Sequence, residues 1–360
     1  MLQYVLKRLF YGFLVLLGVV TLIFVLFNTL PGDPARMMLG QRADQASVDA
    51  INKDLGRDKP LMTQYLGFLN DVSPLSIHNS LDVKSFWYLD PAKYSSAITL
   101  VSLGDSHKIV LKKPYLRRSY QSKRPVSGIL ADAFVPTLIL ASVAMLFATL
   151  VGLVIGIFSA LHKDTWFDRL ALFLSVLGMS LPSFFAAILI AWIFAFVLAD
   201  FTGLSMFGSL YSVDDFGNGE YINLKNLILP AFTLAIRPLG IITELTRSSM
   251  LDVMGQDYIR TARAKGLSET KIVLRHALKN AMNPVVTAVS GWFASLLAGA
   301  VFIEYVFDWK GIGVVIVDAL EKFDFPVIMG AVLFISVFLV IINILVDIVY
   351  GLLDPRVKYA

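Results

Sequence analysis

Among its 360 residues the chain has no cysteine, which excludes disulfides, thiolate metal centres and a cysteine nucleophile. Nor does it contain Gly-x4-Gly-Lys-Ser/Thr, the glycine loop that wraps nucleotide phosphates. If ATP drives this protein, another subunit binds it. The four histidines, His78, His107, His162 and His276, do not cluster as a metal motif, and no residue stands in the pattern of a catalytic acid, base or nucleophile. The chain is therefore not read as an enzyme. Charge is scarce too: 16% of residues are charged and 57% are hydrophobic. A mean hydropathy of +0.71 is too apolar for an ordinary soluble protein of this size.

What is abundant is long apolar runs. Six approach or exceed the roughly 20 residues a helix needs to span a bilayer: about Leu9–Leu30, Thr137–Leu161, Leu170–Leu198, Leu227–Leu245, Pro284–Phe307 and Pro326–Leu352. The first is too long for a signal-peptide core, and Thr29-Leu30-Pro31-Gly32-Asp33-Pro34 is a poor cleavage site, so it reads as a retained span. Lys7, Arg8, Lys163, Arg169, Arg356, Lys358 and the basic loop after the fourth run fall on one side, whereas the opposite short loops hold only Lys225, Lys310 and Lys322. The positive-inside bias then places both termini inside. The same bias accounts for much of the net charge of +4, which needs no nucleic-acid partner. The expected fold is an all-α polytopic membrane protein with six transmembrane helices and N-in/C-in topology. A small α+β external insertion lies between helices 1 and 2. The expected domains are an N-terminal helix over 1–30, an external domain over 31–130, and a core of five spans over 131–360.

In the external segment, Ser47 to Leu55 carries a serine cap and a Gly56 stop, and Pro60 to Leu69 has apolar residues at helical spacing. The runs 97–103 and 108–111 flank Gly104-Asp105-Ser106-His107 and signal a β-hairpin. Within the spans, Gly152 and Gly156 lie four apart, a spacing that lets helix backbones approach closely in lipid. Pro182, Pro230 and Pro238 are expected to bend or loosen their helices.

The loop over 248–283 is long, polar and basic, and reads as two helices broken at a glycine. Gly266 can take the left-handed conformation that ends the first helix, Ser268 can cap the second, and Glu269 sits in its first turn. Apolar Met254, Tyr258, Ile259 and Ala262 can supply anchoring area near the turn, with Arg260, Arg263 and Lys265 as rim charge. Arg237 lies about ten residues inside the fourth span, a costly depth for a charge. It either lines a pathway, attracting the carboxylate of a passing substrate, or pairs internally with Glu244, two turns along the same face. Glu304 is expected at the membrane interface.

Four stretches carry a resemblance. They are Leu30-Pro31-Gly32-Asp33-Pro34 followed by Leu55-Gly56-Arg57-Asp58-Lys59-Pro60-Leu61; Arg124-Pro125-Val126 leading to Pro136-Thr137-Leu138; Leu245-Thr246-Arg247-Ser248-Ser249 running into Asp257-Tyr258-Ile259-Arg260-Thr261-Ala262-Arg263-Ala264-Lys265-Gly266; and Glu304-Tyr305-Val306-Phe307-Asp308-Trp309-Lys310-Gly311-Ile312-Gly313. In that order and between those spans, the chain resembles the dipeptide/oligopeptide family of ABC importer permeases. The resemblance implies a permease subunit in the bacterial inner membrane that forms half of a translocation pore. It implies a second homologous permease subunit, two ATP-binding subunits that hold ATP and Mg, an external substrate-binding protein and a peptide substrate. This chain itself would hold no cofactor. It further implies that the glycine loop, with Met254, Asp257, Tyr258, Arg260, Thr261, Ala262, Arg263, Lys265, Gly266 and Leu267, couples to an ATPase subunit. Another cargo (a nickel complex, glutathione or an opine) fits the same machinery. An ion-coupled secondary transporter fits less well, because the deepest charge is an arginine rather than a carboxylate. The chain departs from the family over about 75–115, where an insertion replaces a glycine-rich stretch, and at Lys310, where proline is usual.

Overall fold

The computed structural model describes residues 2–29, 44–54, 58–83, 85–94, 96–214 and 219–353. Leu30-Pro31-Gly32-Asp33-Pro34, Gly56, Arg356 and Lys358 lie outside the described residues.

The first apolar run is α1 (Leu2–Thr29). Two short helices follow, α2 (Gln45–Asp54) and α3 (Leu61–Val72). The start of α2 is held by the Asp44 carboxylate, which accepts from the Ser47 N–H at 2.7 Å, so the cap comes from Asp44 and not from Ser47. Strands β1 (Leu75–Asn79), β2 (Ile98–Leu103) and β3 (His107–Leu111) form one sheet in the order β1-β3-β2. The β2–β3 pair is the expected hairpin, with Leu103 opposite His107 and Gly104 in the left-handed region at φ +69°. The third strand, β1, pairs antiparallel to the other edge of β3.

The second run is α4 (Val126–Leu161). The third run is not one helix. It divides into α5 (Trp166–Ser180) and α6 (Ser183–Trp192), the latter continuing as a π-helical turn through Val197, and the pair is bent by 112°. Proline explains the break: Leu181, before Pro182, is pushed out of the helical region to φ −70°, ψ 131°. A short α7 (Ala199–Thr202) and a two-stranded ribbon, β4 (Tyr211–Val213) with β5 (Glu220–Ile222), lead to α8 (Lys225–Met254). Pro230 and Pro238 sit inside α8 without ending it.

Then come α9 (Asp257–Ala264), α10 (Glu269–Lys271), a π-helical turn over Ile272–Ala277, and α11 (Leu278–Gly299). The fifth expected span is thus split, since α12 (Val301–Val306) follows α11 as a separate helix. The chain closes with α13 (Ile312–Glu321) and α14 (Phe325–Leu353). Among the described residues four helices are long and apolar enough to cross a membrane, and a fifth span is added if the bent α5–α6 pair counts as one.

The chain forms two compact units, one of Met1–Asp132 with Val315–Ala360 and the other of Ala133–Val314. In the first unit α1 buries Val20, Ile23 and Phe24 against Phe68 of α3 and Leu333 of α14. The Thr21 hydroxyl bonds the Tyr65 phenol at 2.7 Å. A second core joins Val126 and Leu130 to Ala319, Val327, Ile328 and Ala331. Ser119 and the Tyr120 N–H hold the Asp324 carboxylate at 2.5 and 3.3 Å.

In the second unit α8 is the central helix, packed by α5 and α11. Its most apolar stretch is 61% buried, against 33% for α4 and 17% for α1, so of these three helices α8 has protein on the most sides. Close approach of α4 to α8 depends on Gly156, where an added Cβ would lie 2.6 Å from Thr246 and 2.7 Å from the Thr243 carbonyl oxygen.

Candidate functional site

The loop over 248–283 begins as a continuation of α8, which runs on to Met254 and delivers the chain to the start of α9. Gly266 then takes φ +77°, a left-handed backbone that costs glycine nothing and reverses the chain between α9 and α10. Ser268 stands at the N-cap position of α10 in extended conformation, but its side chain makes no cap hydrogen bond. The reversal is fastened by Arg263, whose guanidinium donates to both oxygens of Glu269 at 2.7 and 3.2 Å. That fork holds the Glu269 carboxyl below its ordinary value.

The helices do not present all the apolar residues outward. Ile259 and Ala262 are buried in the chain's own core with Ala160, Met250, Ile272, Val273, Ala277 and Ala281. They fix the elbow to the ends of α4 and α8, and Met254 and Leu267 pack at the edge of that core. The surface left exposed around Gly266 includes Asp257, Tyr258, Arg260, Thr261, Arg263 and Lys265. Asn280 donates to the Tyr258 phenol at 2.8 Å, and Arg260 meets Asp257 at 3.3 Å. The elbow is therefore anchored inward by apolar residues and faces outward with an aromatic ring and a cationic rim.

A buried ion pair beside the loop carries no local signal in the sequence. Asp168, at the start of α5, is 1% exposed and receives both Nε and Nη2 of Arg247 at 2.5 and 2.7 Å. Ser159 at the end of α4 and the Asp164 N–H complete the carboxylate's shell. The clamp ties three helices together just before α8 enters the loop. Thr165 and Asp168 do carry a local helix-start signal, since the Thr165 hydroxyl accepts from the Asp168 N–H. No spacing rule points from Asp168 to a partner 79 positions on.

Arg237 and Glu244 both lie exposed on α8, and among the described residues they form no ion pair. Arg237 Nε instead donates to the Met179 carbonyl oxygen at 3.3 Å. It lines a small cavity of about 90 Å³ with Leu181, Ser183, Thr233, Trp292 and Ser295.

Glu304, at the outer end of the fifth apolar run, is fully buried within the protein. Its carboxyl takes the Thr137 hydroxyl at 2.7 Å and the Gly313 N–H at 2.6 Å, while Thr137 also accepts from the Ile312 N–H at 2.9 Å. Trp309, beside it, donates its indole N–H to the Pro136 carbonyl at 3.1 Å. The motif from Glu304 to Gly313 is thus tied to α4 by the Thr137 hydroxyl and the Pro136 carbonyl.

Two family models cover most of the chain. "Binding-protein-dependent transport system inner membrane component" matches residues 152–359, and the corresponding N-terminal family of membrane components matches residues 1–83. The glutathione transport system permease protein GsiC of Salmonella typhimurium is 37% identical over 359 residues, covering 100% of both chains. The GsiC of Pectobacterium atrosepticum is 36% identical over the same length, again with 100% of each chain covered. Among solved structures, the MetNI methionine ABC transporter in inward-facing conformations aligns with a TM-score of 0.51 at 15% identity, over 63% of this chain and 97% of that one. That last likeness concerns the fold alone.

Proposed function

This chain belongs to the inner membrane components of binding-protein-dependent transport systems, and from that premise we propose that it carries short peptides as one half of an ATP-driven pore. The family role is that of a multi-pass membrane subunit and not of a catalyst; in such systems hydrolysis belongs to a separate ATPase. A second, similar permease chain would complete the pore. Two ATP-binding subunits would hold ATP and Mg on the inner side, and an external binding protein would deliver the cargo to the domain over 31–130. The topology proposed is six spans with both termini inside. The bent α5–α6 pair counts as the third span and α11–α12 as the fifth, with the core domain over 131–360.

The single observation that carries this reading is the elbow around Gly266. It is bolted to α4 and α8 by Ile259 and Ala262, yet it exposes Tyr258, Arg260, Thr261 and Lys265. A push on that surface is transmitted to α8, and α8 carries Arg237. Arg237 would meet the carboxylate of the passing peptide, its guanidinium being held by one backbone carbonyl and free of Glu244. Glutathione, a tripeptide, is the first cargo to test because relatives covering the whole chain are named for it.

The test is uptake of labelled glutathione and of di- and oligopeptides into vesicles with all subunits co-reconstituted, with and without ATP. A Gly266→Pro chain and an Arg260→Glu/Lys265→Glu double variant would be compared with wild type. Uptake that requires ATP and is lost in both variants, with the complex still assembled, supports the reading. Uptake indifferent to ATP and to both variants overturns it.

A further inference from the structure

Two elements of the segment between α1 and α4 are patterned inside out. The exposed residues of α3 are all apolar: Leu61, Met62 and Leu66. Three of its polar residues turn to the protein instead. Asn70 accepts from the Ile77 N–H at 2.9 Å, Gln64 donates to the Lys59 carbonyl at 2.7 Å, and Asp71 accepts from the Tyr94 hydroxyl. Strand β1 repeats the inversion, with Leu75 and Ile77 exposed and Ser76 and His78 buried. A helix or strand with one face in water turns its apolar set inward.

Helix α3 also sits at membrane depth. Its Tyr65, Phe68, Leu69 and Val72 pack on α1 and α14 around Phe24 and Leu333. The Tyr65 phenol bonds Thr21, which lies six residues inside the Phe27 end of the first apolar span, about 9 Å at helical rise. Leu333 lies eight residues inside the Phe325 end of the last span, about 12 Å. Near that level α1 itself exposes Leu22, Val25 and Leu26. The surround of a span at such a depth is hydrocarbon, and α3 shares it.

The sheet continues this surface with a gradient. Strand register sets Leu75, Leu111 and Ile98 in one row, Ile77, Ile109 and Val101 in the next, and Asn79, His107 and Leu103 in the third. The first row is tied to the embedded core. Leu75 follows Val72 by three residues and Leu111 precedes Leu116 by five, and Val72 and Leu116 both pack against that core. With distance from the spans the face passes from apolar to mixed, and it ends in the polar turn Gly104-Asp105-Ser106. A patch made for a protein has an apolar centre and a polar rim all round, whereas polarity rising in one direction matches a boundary between lipid and water. Strand β2 lies at an edge of the sheet. Unpaired backbone groups are not tolerated in hydrocarbon, so that edge belongs in the wet headgroup layer.

We propose that α3 lies in the leaflet at the Thr29 end of α1, with the apolar face of the sheet resting on the headgroup layer there, so that lipid is the partner of this segment. The inference needs α1 and α14 to cross the bilayer. It needs nothing of the cargo, the loop or the orientation proposed above.

The chain has no cysteine, so single cysteines can be spin-labelled in the full-length chain assembled with its co-purified subunits in lipid nanodiscs. The unsubstituted complex, treated alike, gives the background from the other subunits. Collision with oxygen, which concentrates in lipid, is compared with collision with chromium oxalate, which stays in water. All the positions used are exposed, so the labels leave the packing intact. The oxygen-to-oxalate ratio is expected to be at least about fivefold higher for Leu66→Cys than for Asp105→Cys on the turn, and close to that of Leu22→Cys on α1. Ile98→Cys should fall between Leu66→Cys and Asp105→Cys. The proposal is overturned if the label at Leu66 or at Ile98 is as open to chromium oxalate as the one at Asp105, which would place the segment in water. It is equally overturned if either label is shielded from both reagents, which would place a binding protein or a second permease chain on this face.

Discussion

Two arginines on one helix, ten positions apart, have opposite surroundings. Arg247 is locked: Asp168 takes it in two bonds, and Ser159 and the Asp164 N–H fill the rest of the carboxylate's shell. Arg237 is exposed and makes one bond of 3.3 Å to a carbonyl. The first charge is cancelled inside the protein, and its role is to fix where α8 leaves the bundle. The second is held in position without being cancelled, and on the proposed reading its charge meets the carboxylate of the peptide. The same residue type on the same helix is structural or available according to what lies opposite.

The contrast breaks most visibly at the locked end. Asp168→Ala leaves the Arg247 guanidinium, whose side chain is 17% exposed, without its counter-charge, and should cost about 3 kcal/mol. The check is a melting curve of the purified complex. An Asp168→Leu/Arg247→Met double variant should recover most of that loss, because replacing both partners removes the uncompensated charge. Recovery of stability without recovery of ATP-driven uptake would show that the clamp also positions the loop.

At the open end the order of effects reverses. Arg237→Gln should leave the melting curve unmoved while raising the half-saturating peptide concentration about tenfold, the worth of about 1.4 kcal/mol from a charge-assisted contact. An equal loss of stability would place Arg237 in the structural class with Arg247.

A third cation sharpens the comparison. Lys112 is also held by carbonyl oxygens, but it is buried, and burial pushes its pKa down to about 8, with Asp71 opposing. Between about 8 and the ordinary lysine value the unfolded chain therefore holds one more proton than the folded chain, so stability rises with pH across that window. The slope is at most about 1.4 kcal/mol per pH unit. Above the ordinary tyrosine value the rise is opposed by Tyr94, whose phenol burial holds protonated in the fold. Lys112→Met should flatten the rise in melting temperature measured from pH 8 to pH 10.

The smallest effect belongs to Arg263 and Glu269, an exposed pair with side chains 42% and 63% accessible. Arg263→Ala should change stability by no more than about 0.5 kcal/mol in the same melting assay.

Local chemistry was legible in the sequence and long-range pairing was not. Gly266 could be assigned its left-handed turn because only its neighbours decide it, and the β2–β3 hairpin followed from alternation around Gly104. Ser47 was read as the cap of α2, and the fold uses Asp44 three residues earlier. Pro182 announced a bend, but no local rule sets an angle of 112°. The partner of Glu304, Thr137, is 167 positions away, and that of Asp168, Arg247, is 79 away, so no local spacing announces either pairing. The anchoring role of Ile259 and Ala262 was visible as apolarity. Which side they anchor depends on Ala160 and Met250, whose proximity only the fold supplies.

The break before Pro182 has an electrical consequence. By ending at Ser180, α5 exposes its last carbonyls, the negative pole of a helix dipole, and Met179 is one of them. A helix end carries about half an elementary charge, so it steadies the Arg237 guanidinium without neutralising it. Were α5 and α6 one straight helix, those carbonyls would be consumed by the next turn, and the arginine would need either a carboxylate, which would neutralise it, or water. The kink acts as a weak counter-ion with no acid of its own to compete for the site.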